Sequence, residues 1–171
     1  DEYGLEWDEA WTITRATIAY TNHTIMPEAL ETWPVDMFKT LLPRIYMIIE
    51  EINRRHCEYV KARYPDNVEK LRALSIIESE LVHMARLSIV GSHSVNGVAR
   101  IHSEILKSTT LHDFYEYWPR MFNNKTNGIT HRRWLMGANP ELAELIDRTI
   151  GSRIWHRHPE QLDLLNEAVD D

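Results

Sequence analysis

Apolar residues recur every three or four positions through most of this chain, a spacing that places them on one face of an α-helix. The longest such run follows Pro43, because proline is tolerated at the first position of a helix. It ends before residues 64–67, where proline followed by Asp and Asn is typical of a turn. The sequence therefore predicts its longest helix between these points. The apolar face of that helix is predicted to consist of Ile45, Ile48, Ile49, Ile52 and His56.

The same spacing predicts several shorter helices. They are expected at about Trp7 to Ala19, from Met37 onward with Asp36 as N-cap, around Val68 to Leu74, close after Asn96-Gly97, and at Arg132 to Leu135, Pro140 to Ile150 before Gly151, and Glu160 to Ala168. Residues 87–91 stay open, because a brief apolar run ending in glycine fits either a buried parallel strand or a helix. Short strands are expected at most near residues 87–91 and 121–127. The predicted fold class is mainly α with a few short parallel strands.

The charge balance and the lengths of the apolar runs argue against two kinds of partner. Twenty-six acidic and nineteen basic residues give a net charge of −7, whereas binding to a phosphate backbone depends on clustered Lys and Arg. The longest apolar runs, such as residues 45–49, are too short to span a bilayer. We therefore predict neither a nucleic-acid nor a membrane partner. A cytoplasmic location is expected, because Cys57 is the single cysteine and residues 1–3 show no secretory signal.

Three short polar segments each follow a buried-looking apolar segment: residues 22–24 (Asn-His-Thr), 96–98 (Asn-Gly-Val) and 127–130 (Asn-Gly-Ile-Thr). Turns of this kind present ligands, and in α/β layers they gather at the carboxyl ends of strands. We therefore predict that His23, Val98 and Asn127 converge on one site. From the residues alone a simpler interpretation stays open. An Asn-Gly pair can be a tight turn in which glycine supplies a positive φ, and a lone histidine is more often structural.

The residues around these segments closely resemble the α-glucan phosphorylases, the glycogen, starch and maltodextrin enzymes. The resemblance is carried by Ala19 to Thr24, Pro27 to Glu31, Trp33-Pro34, Gly91 to Glu104, Asn124 to Thr130 and Arg132 to Leu135. It runs from about Trp7 to the C-terminus, but a whole phosphorylase is several times longer and has two large domains flanking a deep cleft. The resemblance therefore implies an internal piece of a two-domain α/β fold of the GT-B-like glycosyltransferase type. Residues 1–128 are expected to be the C-terminal part of the N-terminal domain, and residues 129–171 the interdomain crossing and the first helices of the C-terminal domain.

The resemblance also assigns roles to residues of the first polar segment and its neighbours. It implies that His23 is the catalytic and sugar-binding residue of this chain. Its ring is expected to hydrogen-bond the glucose 6-hydroxyl, and its main-chain carbonyl to lie near the anomeric carbon, where partial negative charge helps an oxocarbenium-like transition state. Thr24 shares the same loop. Glu28 and Ala29 match a family loop beside the acceptor sugar.

The other two segments complete the expected site. The resemblance implies that Val98 contacts the sugar, with Asn96 and Gly97 shaping the turn. Asn127 is expected to bind the glucose 6-hydroxyl, since an amide offers both a donor and an acceptor. Trp134 matches a residue near the cofactor, pyridoxal phosphate, although an aromatic residue at this spacing is by default part of a core.

Two features depart from the family pattern, and one histidine pair suggests a metal. His131 stands where the family usually has proline, which is expected to loosen the crossing, and residues 78–86 are shorter and differently polar. His156 and His158 are assigned to a solvated surface, because two ligands without a cluster of carboxylates or cysteines make a weak metal site. We therefore predict no metal.

The implied function is that of a glycosyltransferase, a glycogen or maltodextrin phosphorylase. Such an enzyme joins inorganic phosphate to the terminal glucosyl unit of an α-1,4-glucan and releases α-glucose 1-phosphate, as in glycogen degradation. Pyridoxal phosphate is the expected cofactor, with its lysine outside these residues, and the parent is expected to be a homodimer and an allosteric enzyme. The isolated chain is expected to be inactive. The alternatives are a non-catalytic helical interaction module and another two-domain glycosyltransferase.

Overall fold

The computed structural model describes residues 4–168, and the chain divides into two compact units between Thr126 and Asn127. Each unit has its own cluster of buried apolar side chains. Among the described residues, all of the β-strands belong to the first unit.

The first unit is built of short helices and strands around one long helix. Its α-helices are α1 (Trp7–Thr17), α2 (Val35–Leu41), α3 (Pro43–Arg63), α4 (Val68–Leu74), α5 (Met84–Val90), α6 (Arg100–Ile105) and α7 (His112–Tyr117). Its strands are β1 (Ala19–Thr21), β2 (Thr32–Pro34), β3 (Ile77–Glu78), β4 (Leu81–His83), β5 (Ser94–Gly97) and β6 (Phe122–Asn124). Short 3₁₀-helices cover Pro27–Ala29 and Pro119–Met121, and a π-helical segment, Leu106–Thr110, continues α6. The prediction of a mainly α chain with a few short parallel strands is confirmed. The predicted strand positions are wrong for β1 and β5, which lie outside residues 87–91 and 121–127.

Three of the strands form a parallel sheet in the order β1-β5-β6. Thr21 lies opposite Asn96, and Asn96 lies opposite Asn123, so the three strands end nearly level with one another. Because the strands run in the same direction, their carboxyl ends lie along one edge. This sheet edge positions two of the three polar segments.

The other three strands form a separate antiparallel sheet in the order β2-β4-β3. Strands β3 and β4 are joined by Ser79 and Glu80, whose φ values of 52° and 58° are typical of a two-residue hairpin loop. The sequence patterns predict none of these strands, because two or three residues are too few to show alternation. The segment that departs from the family pattern is thus a tight hairpin followed by α5.

The core of the first unit lies between α3, α5, α7 and the parallel sheet. Burying such side chains removes apolar surface from water, which is the main favourable term in folding. The most deeply buried apolar residues are Val60, Leu74, Ile76, Val82, Ile89, Val95 and Leu106.

The longest predicted helix is confirmed, with Pro43 at its first position and Arg63 as its last residue. Its predicted face is partly wrong, because Ile45 and Ile48 are 46% and 42% exposed. Ile49 and His56 are buried as predicted, and Tyr46 and Val60, which were not predicted, are buried with them. Apolar residues cover more than one side of this helix, so their spacing could not decide which side faces the core.

The structure corrects three predictions about the ends and the type of secondary-structure elements. Helix α1 ends at Thr17, because Ala19 already begins β1. Asp36 is not an N-cap, since α2 begins at Val35 and Pro34 precedes it. The strand alternative for residues 87–91 is wrong, because α5 occupies Met84–Val90. The predicted strand within residues 121–127 is confirmed as β6.

The second unit packs short helical segments around one tryptophan. It contains a π-helical segment (Arg132–Gly137), α8 (Pro140–Ile150) and two 3₁₀-helices (Ile154–His156 and Pro159–Ala168). Helix α8 ends as predicted at Gly151, whose φ of 71° is the left-handed conformation that glycine favours at helix ends. Trp155 is fully buried, and its buried neighbours are Ala143 and Ile146.

Candidate functional site at the carboxyl edge of the parallel sheet

The carboxyl edge of the parallel sheet carries polar residues from three separate parts of the first unit. The chain leaves β1 at Asn22, β5 at Val98 and β6 at Lys125. Backbone bonds extend the sheet beyond the strands: the Asn22 N–H donates to the Asn96 carbonyl at 2.9 Å, and the Lys125 N–H donates to the Gly97 carbonyl at 3.1 Å. Ligands in open α/β folds bind outside this kind of edge.

Asn22 is the residue that shapes the first loop. Its side chain is only 1% exposed, yet it is fully hydrogen-bonded. Its Oδ1 accepts from the Thr24 backbone N–H at 2.9 Å, which is an Asx turn, and its Nδ2 donates to the Tyr20 hydroxyl at 3.2 Å. Because the buried Asn22 is bonded to residues on both sides of it, the turn holds the intervening His23 in a defined place.

His23 and its neighbours are open to solvent. The His23 side chain is exposed, and its ring makes no hydrogen bond to any described residue. Thr24 is half-buried, and its hydroxyl accepts from the Met26 N–H at 3.1 Å. Glu28 and Ala29 are exposed on the 3₁₀-helix that follows. The His23 ring can therefore meet a ligand without first breaking a bond to this chain.

Asn96 and Gly97 are the last residues of β5 and not a turn, which corrects the prediction. Asn96 is 8% exposed; its Oδ1 accepts from the Thr21 hydroxyl at 2.9 Å, and its Nδ2 donates to the Gly97 carbonyl at 2.9 Å. Its amide is therefore occupied within the protein. Gly97 is not among the residues with positive φ, and a Cβ there would lie 2.6 Å from the Ser103 Oγ. Glycine is needed because α6 packs directly against the strand.

His102 and Ser103 at the start of α6 belong to this edge, although the sequence analysis did not single them out. The Val98 backbone N–H donates to His102 Nδ1 at 3.0 Å, and His102 Nε2 lies 3.2 Å from Asn22 Oδ1. The Ser103 hydroxyl donates to Asn124 Oδ1 at 3.0 Å, which ties α6 to the end of β6. The sequence pattern could have indicated both residues, because polar residues in the first turn of a predicted helix can face the end of the preceding strand.

The remaining predicted site residues, Asn127 and Trp134, belong to the second unit. Asn127 is the first residue of that unit and is exposed. Trp134 is 73% exposed, so the core-packing alternative for this residue is wrong. The structure thus brings the His23 loop and Val98 to one edge. The predicted convergence of Asn127 with them stays a prediction.

His156 is not the solvated surface histidine that the sequence analysis predicts. Its Nε2 lies 2.9 Å from Asp147 Oδ1, and the same oxygen accepts from the Trp155 indole N–H at 2.8 Å. Partial burial acts to raise the pKa of Asp147, but the bonds from Trp155 and His156, with the nearby Arg153, outweigh it and hold the pKa below its ordinary value. Among residues 4–168, no group of three potential metal-ligating side chains is present.

His131 is buried in the second unit, and the expected loosening of the crossing stays a prediction. It is 8% exposed, and its Nε2 donates to the His156 carbonyl at 3.0 Å. Its ring centroid lies 6.0 Å from that of Trp155. The residue that departs from the family pattern is therefore part of the core of this unit.

The carboxyl edge of the sheet is suited to a polar ligand. The exposed ring of His23, next to the half-buried Thr24, leaves this edge open to a hydrogen-bonding ligand such as one rich in hydroxyl groups. In the described part of the chain, no helix is both long and apolar enough to cross a membrane.

The whole chain, residues 1–171, matches the carbohydrate phosphorylase family and belongs to it. It is 53% identical over 171 residues to a glycogen phosphorylase of Bacillus subtilis, and 54% identical over 170 residues to the brain form of Rattus norvegicus. It is 53% identical over 174 residues to the muscle form of Bos taurus. These matches cover 98% to 100% of this chain but only 20% to 21% of the relatives. The chain thus spans about a fifth of the length of these relatives.

Proposed function

We propose that this chain supplies one wall of the glucosyl site of an α-1,4-glucan phosphorylase. The parent enzyme would convert a glucan end and inorganic phosphate into α-glucose 1-phosphate. The observation that carries the proposal is family membership over all 171 residues, together with relatives that are named glycogen phosphorylases. Because the chain spans about a fifth of those relatives, the reaction is assigned to the parent and not to the isolated chain.

His23 is proposed as the catalytic contact of this wall. Its exposed ring is held in a loop whose base, Asn22, is buried and bonded on both sides. A ring in that position can bond a sugar hydroxyl, while its main-chain carbonyl offers partial negative charge to an oxocarbenium-like transition state. Thr24 is proposed to bind sugar from the same loop, and Glu28 and Ala29 are proposed to lie beside the acceptor sugar.

Val98 and Asn127 are proposed to contact the same sugar. Support for Val98 is its place directly after β5 at the edge that carries the His23 loop. Asn96 and Gly97 are proposed to shape this edge, since the amide of Asn96 is already occupied and Gly97 lies under α6. Asn127 is exposed and has both a donor and an acceptor for the 6-hydroxyl.

Pyridoxal phosphate is proposed as the cofactor of the parent, with its lysine outside these residues and Trp134 near it. Trp134, the residue assigned to it, is 73% exposed. Lys70 is unsuited to an imine, because ion pairs with Asp113 and Glu116 raise its pKa and keep its amine charged. We therefore assign no step of the cofactor to this chain. The GT-B-like fold, the division at residue 128, a homodimeric, allosteric parent and a cytoplasmic location are proposed from the family alone.

The isolated chain is expected to release no glucose 1-phosphate, because one wall of a cleft cannot hold glucan, phosphate and cofactor together. The test is an assay of the purified 171-residue chain with maltodextrin, phosphate and added pyridoxal phosphate, run beside the complete parent. Glucose 1-phosphate formed by the isolated chain would contradict the assignment of activity to the parent. A parent that transfers sugar only from a nucleotide sugar, or transfers none, would contradict phosphorolysis itself.

Asn127→Ala in the complete parent is expected to lower kcat/KM by an amount equivalent to roughly 1 to 3 kcal/mol, because hydrogen bonds to the 6-hydroxyl are lost. His23→Ala is expected to lower it at least as much. The matched control is His93→Ala, since His93 is exposed but lies before β5, at the opposite edge of the sheet. Equal losses in the His23 and His93 variants would remove support for the edge as the sugar site.

A further inference from the structure

His102 is a buried histidine with a partner at each ring nitrogen. It lies in the first turn of α6 and is 9% exposed. Nδ1 receives the Val98 backbone N–H at 3.0 Å, and Nε2 lies 3.2 Å from Asn22 Oδ1. One imidazole therefore connects the chain leaving β1 to the chain leaving β5.

The contacts of His102 define its protonation in two independent ways. A backbone N–H can only donate, so Nδ1 facing Val98 must carry no proton. On the other side, the Thr24 backbone N–H determines which atom of the Asn22 amide is the oxygen, and that oxygen can only accept from Nε2. Both arguments give the neutral ring with its proton on Nε2. An imidazolium would direct an Nδ1–H at the Val98 N–H.

The bond to Asn22 reaches the loop that carries His23. The same Asn22 Oδ1 accepts from Thr24 at 2.9 Å, so the His102 bond and the Asx turn share one oxygen. The Asn22 N–H also donates to the Asn96 carbonyl at 2.9 Å. Any shift of His102 is therefore passed to the His23 loop on one side and to the Val98 backbone on the other.

We propose that His102 is a positioning residue for the sugar site, which holds the Asn22 to Thr24 loop against Val98 through its neutral Nε2–H tautomer. This inference rests on the proposed function, because it assigns both held segments to the glucosyl unit. Removing the hydrogen bonds of His102 should weaken binding of the glucan but leave phosphate binding nearly unchanged. A residue that served only the stability of the fold would not separate the two substrates in this way.

Substitutions at His102 in the complete parent can separate its two bonds. The amide nitrogen of glutamine reaches the position of Nε2, whereas the amide oxygen of asparagine reaches that of Nδ1. His102→Asn should therefore lose the bond to Asn22, and His102→Gln should keep it. Each variant thus loses one of the two buried bonds. We expect the KM for the glucan to rise about tenfold in His102→Asn, which releases the loop that carries His23, and only about twofold in His102→Gln, which loses the acceptor of the Val98 N–H but still holds that loop. The KM for phosphate should change less than about twofold in either variant.

The control is His93→Gln, an exposed histidine at the other edge of the sheet, and it should leave both KM values unchanged. Active wild type with equal glucan KM in all variants would overturn the positioning role and leave the proposed function in place. Wild-type parent without phosphorolysis would overturn the proposed function and this role together. Equal rises in the KM for glucan and for phosphate would also overturn the role.

A second measurement does not depend on the activity of any variant. Long-range ¹H–¹⁵N spectra of the 171-residue chain report which nitrogen of each histidine carries the proton. We expect His102 as the Nε2–H tautomer at neutral pH, identified by the loss of its signals in His102→Gln. An Nδ1–H tautomer or an imidazolium at neutral pH would overturn the inference, whatever the kinetics show.

Discussion

One histidine of each unit, His56 and His156, shows how different the partners of an imidazole can be. In the first unit, His56 is 4% exposed, and its Nε2 donates to the Leu74 carbonyl at 3.1 Å with no carboxylate beside it. Burial, together with the charge of Arg15, lowers the pKa of His56 to about 4, although the carbonyl bond opposes the shift. In the second unit, His156 instead lies 2.9 Å from the carboxylate of Asp147. His56 thus bonds an uncharged acceptor in a buried place, whereas His156 lies beside a negative charge.

This difference matches what each region has to hold in place. A neutral imidazole has one donor and one acceptor in fixed directions. His102 can therefore join a loop that offers a donor, the Val98 N–H, to a loop that offers an acceptor, Asn22 Oδ1. A carboxylate only accepts, and Asp147 therefore gathers the donors of Trp155, His156 and Arg153 at one point. The first arrangement sets the geometry of a polar edge. The second fastens a helix to the turn that follows it.

The largest effect is expected from Trp155→Ala in the second unit. Trp155 is fully buried, so its loss should lower the free energy of unfolding of that unit by about 3 to 5 kcal/mol. Urea titration followed by hydrogen exchange and mass spectrometry can locate the loss. Peptides from residues 127–168 should exchange faster, while those from β5 and β6 should not change. Trp134→Ala, which removes a 73% exposed ring of the same unit, is the control and should have little effect. Equally faster hydrogen exchange in both units would contradict the view that Trp155 stabilises the second unit alone.

The pH dependence of the first unit should follow His56. The unfolded imidazole has the ordinary value of 6.5, whereas the folded value is about 4, so the unfolded state binds the proton first as the pH falls. The stabilising contribution is thus complete above pH 6.5 and lost towards pH 4, by roughly 3 kcal/mol in all.

Urea titrations of wild type and His56→Gln at neutral and acidic pH test this expectation, because glutamine keeps a donor for Leu74 but does not titrate. The pKa of Asp147 lies below its ordinary value of 3.8, so its contribution in the second unit should be lost only as the pH falls below that value. An unchanged pH dependence in His56→Gln would refute the role of His56.

The smallest effect expected is that of Gly97→Ala. A Cβ there would lie 2.6 Å from the Ser103 Oγ and 3.0 Å from the Ser103 Cα, so β5 or α6 must shift, at a cost of about 1 to 3 kcal/mol. Gly128→Ala is the matched control in the second unit, because its added Cβ would meet no atom within 4 Å. Thermal unfolding of both variants measures the difference. Equal melting temperatures would show that α6 does not press on the strand as described.

The predictions from sequence succeeded where a local signal was strong. Pro43 and residues 64–67 mark the ends of α3, and Gly151 marks the end of α8. They failed where the signal was short or symmetrical. Residues 87–91 could be strand or helix by periodicity, and the choice of α5 depends on what packs around Ile89 and Val90. The candidate residues at the sheet edge came from family resemblance, while His102 became visible only through its two contacts.

By itself, the sequence determined the helical class, the family and the polar segments that can meet a sugar, because each depends on residue type and spacing along the chain. Only the tertiary structure decided which side of α3 is buried, why Gly97 must be glycine and which groups His102 contacts. Those features depend on atoms that are distant in sequence, such as Asn22 and His102, which are 80 positions apart. The direction of a hydrogen bond between such residues has no local signature, because it exists only once the sheet and α6 have packed together.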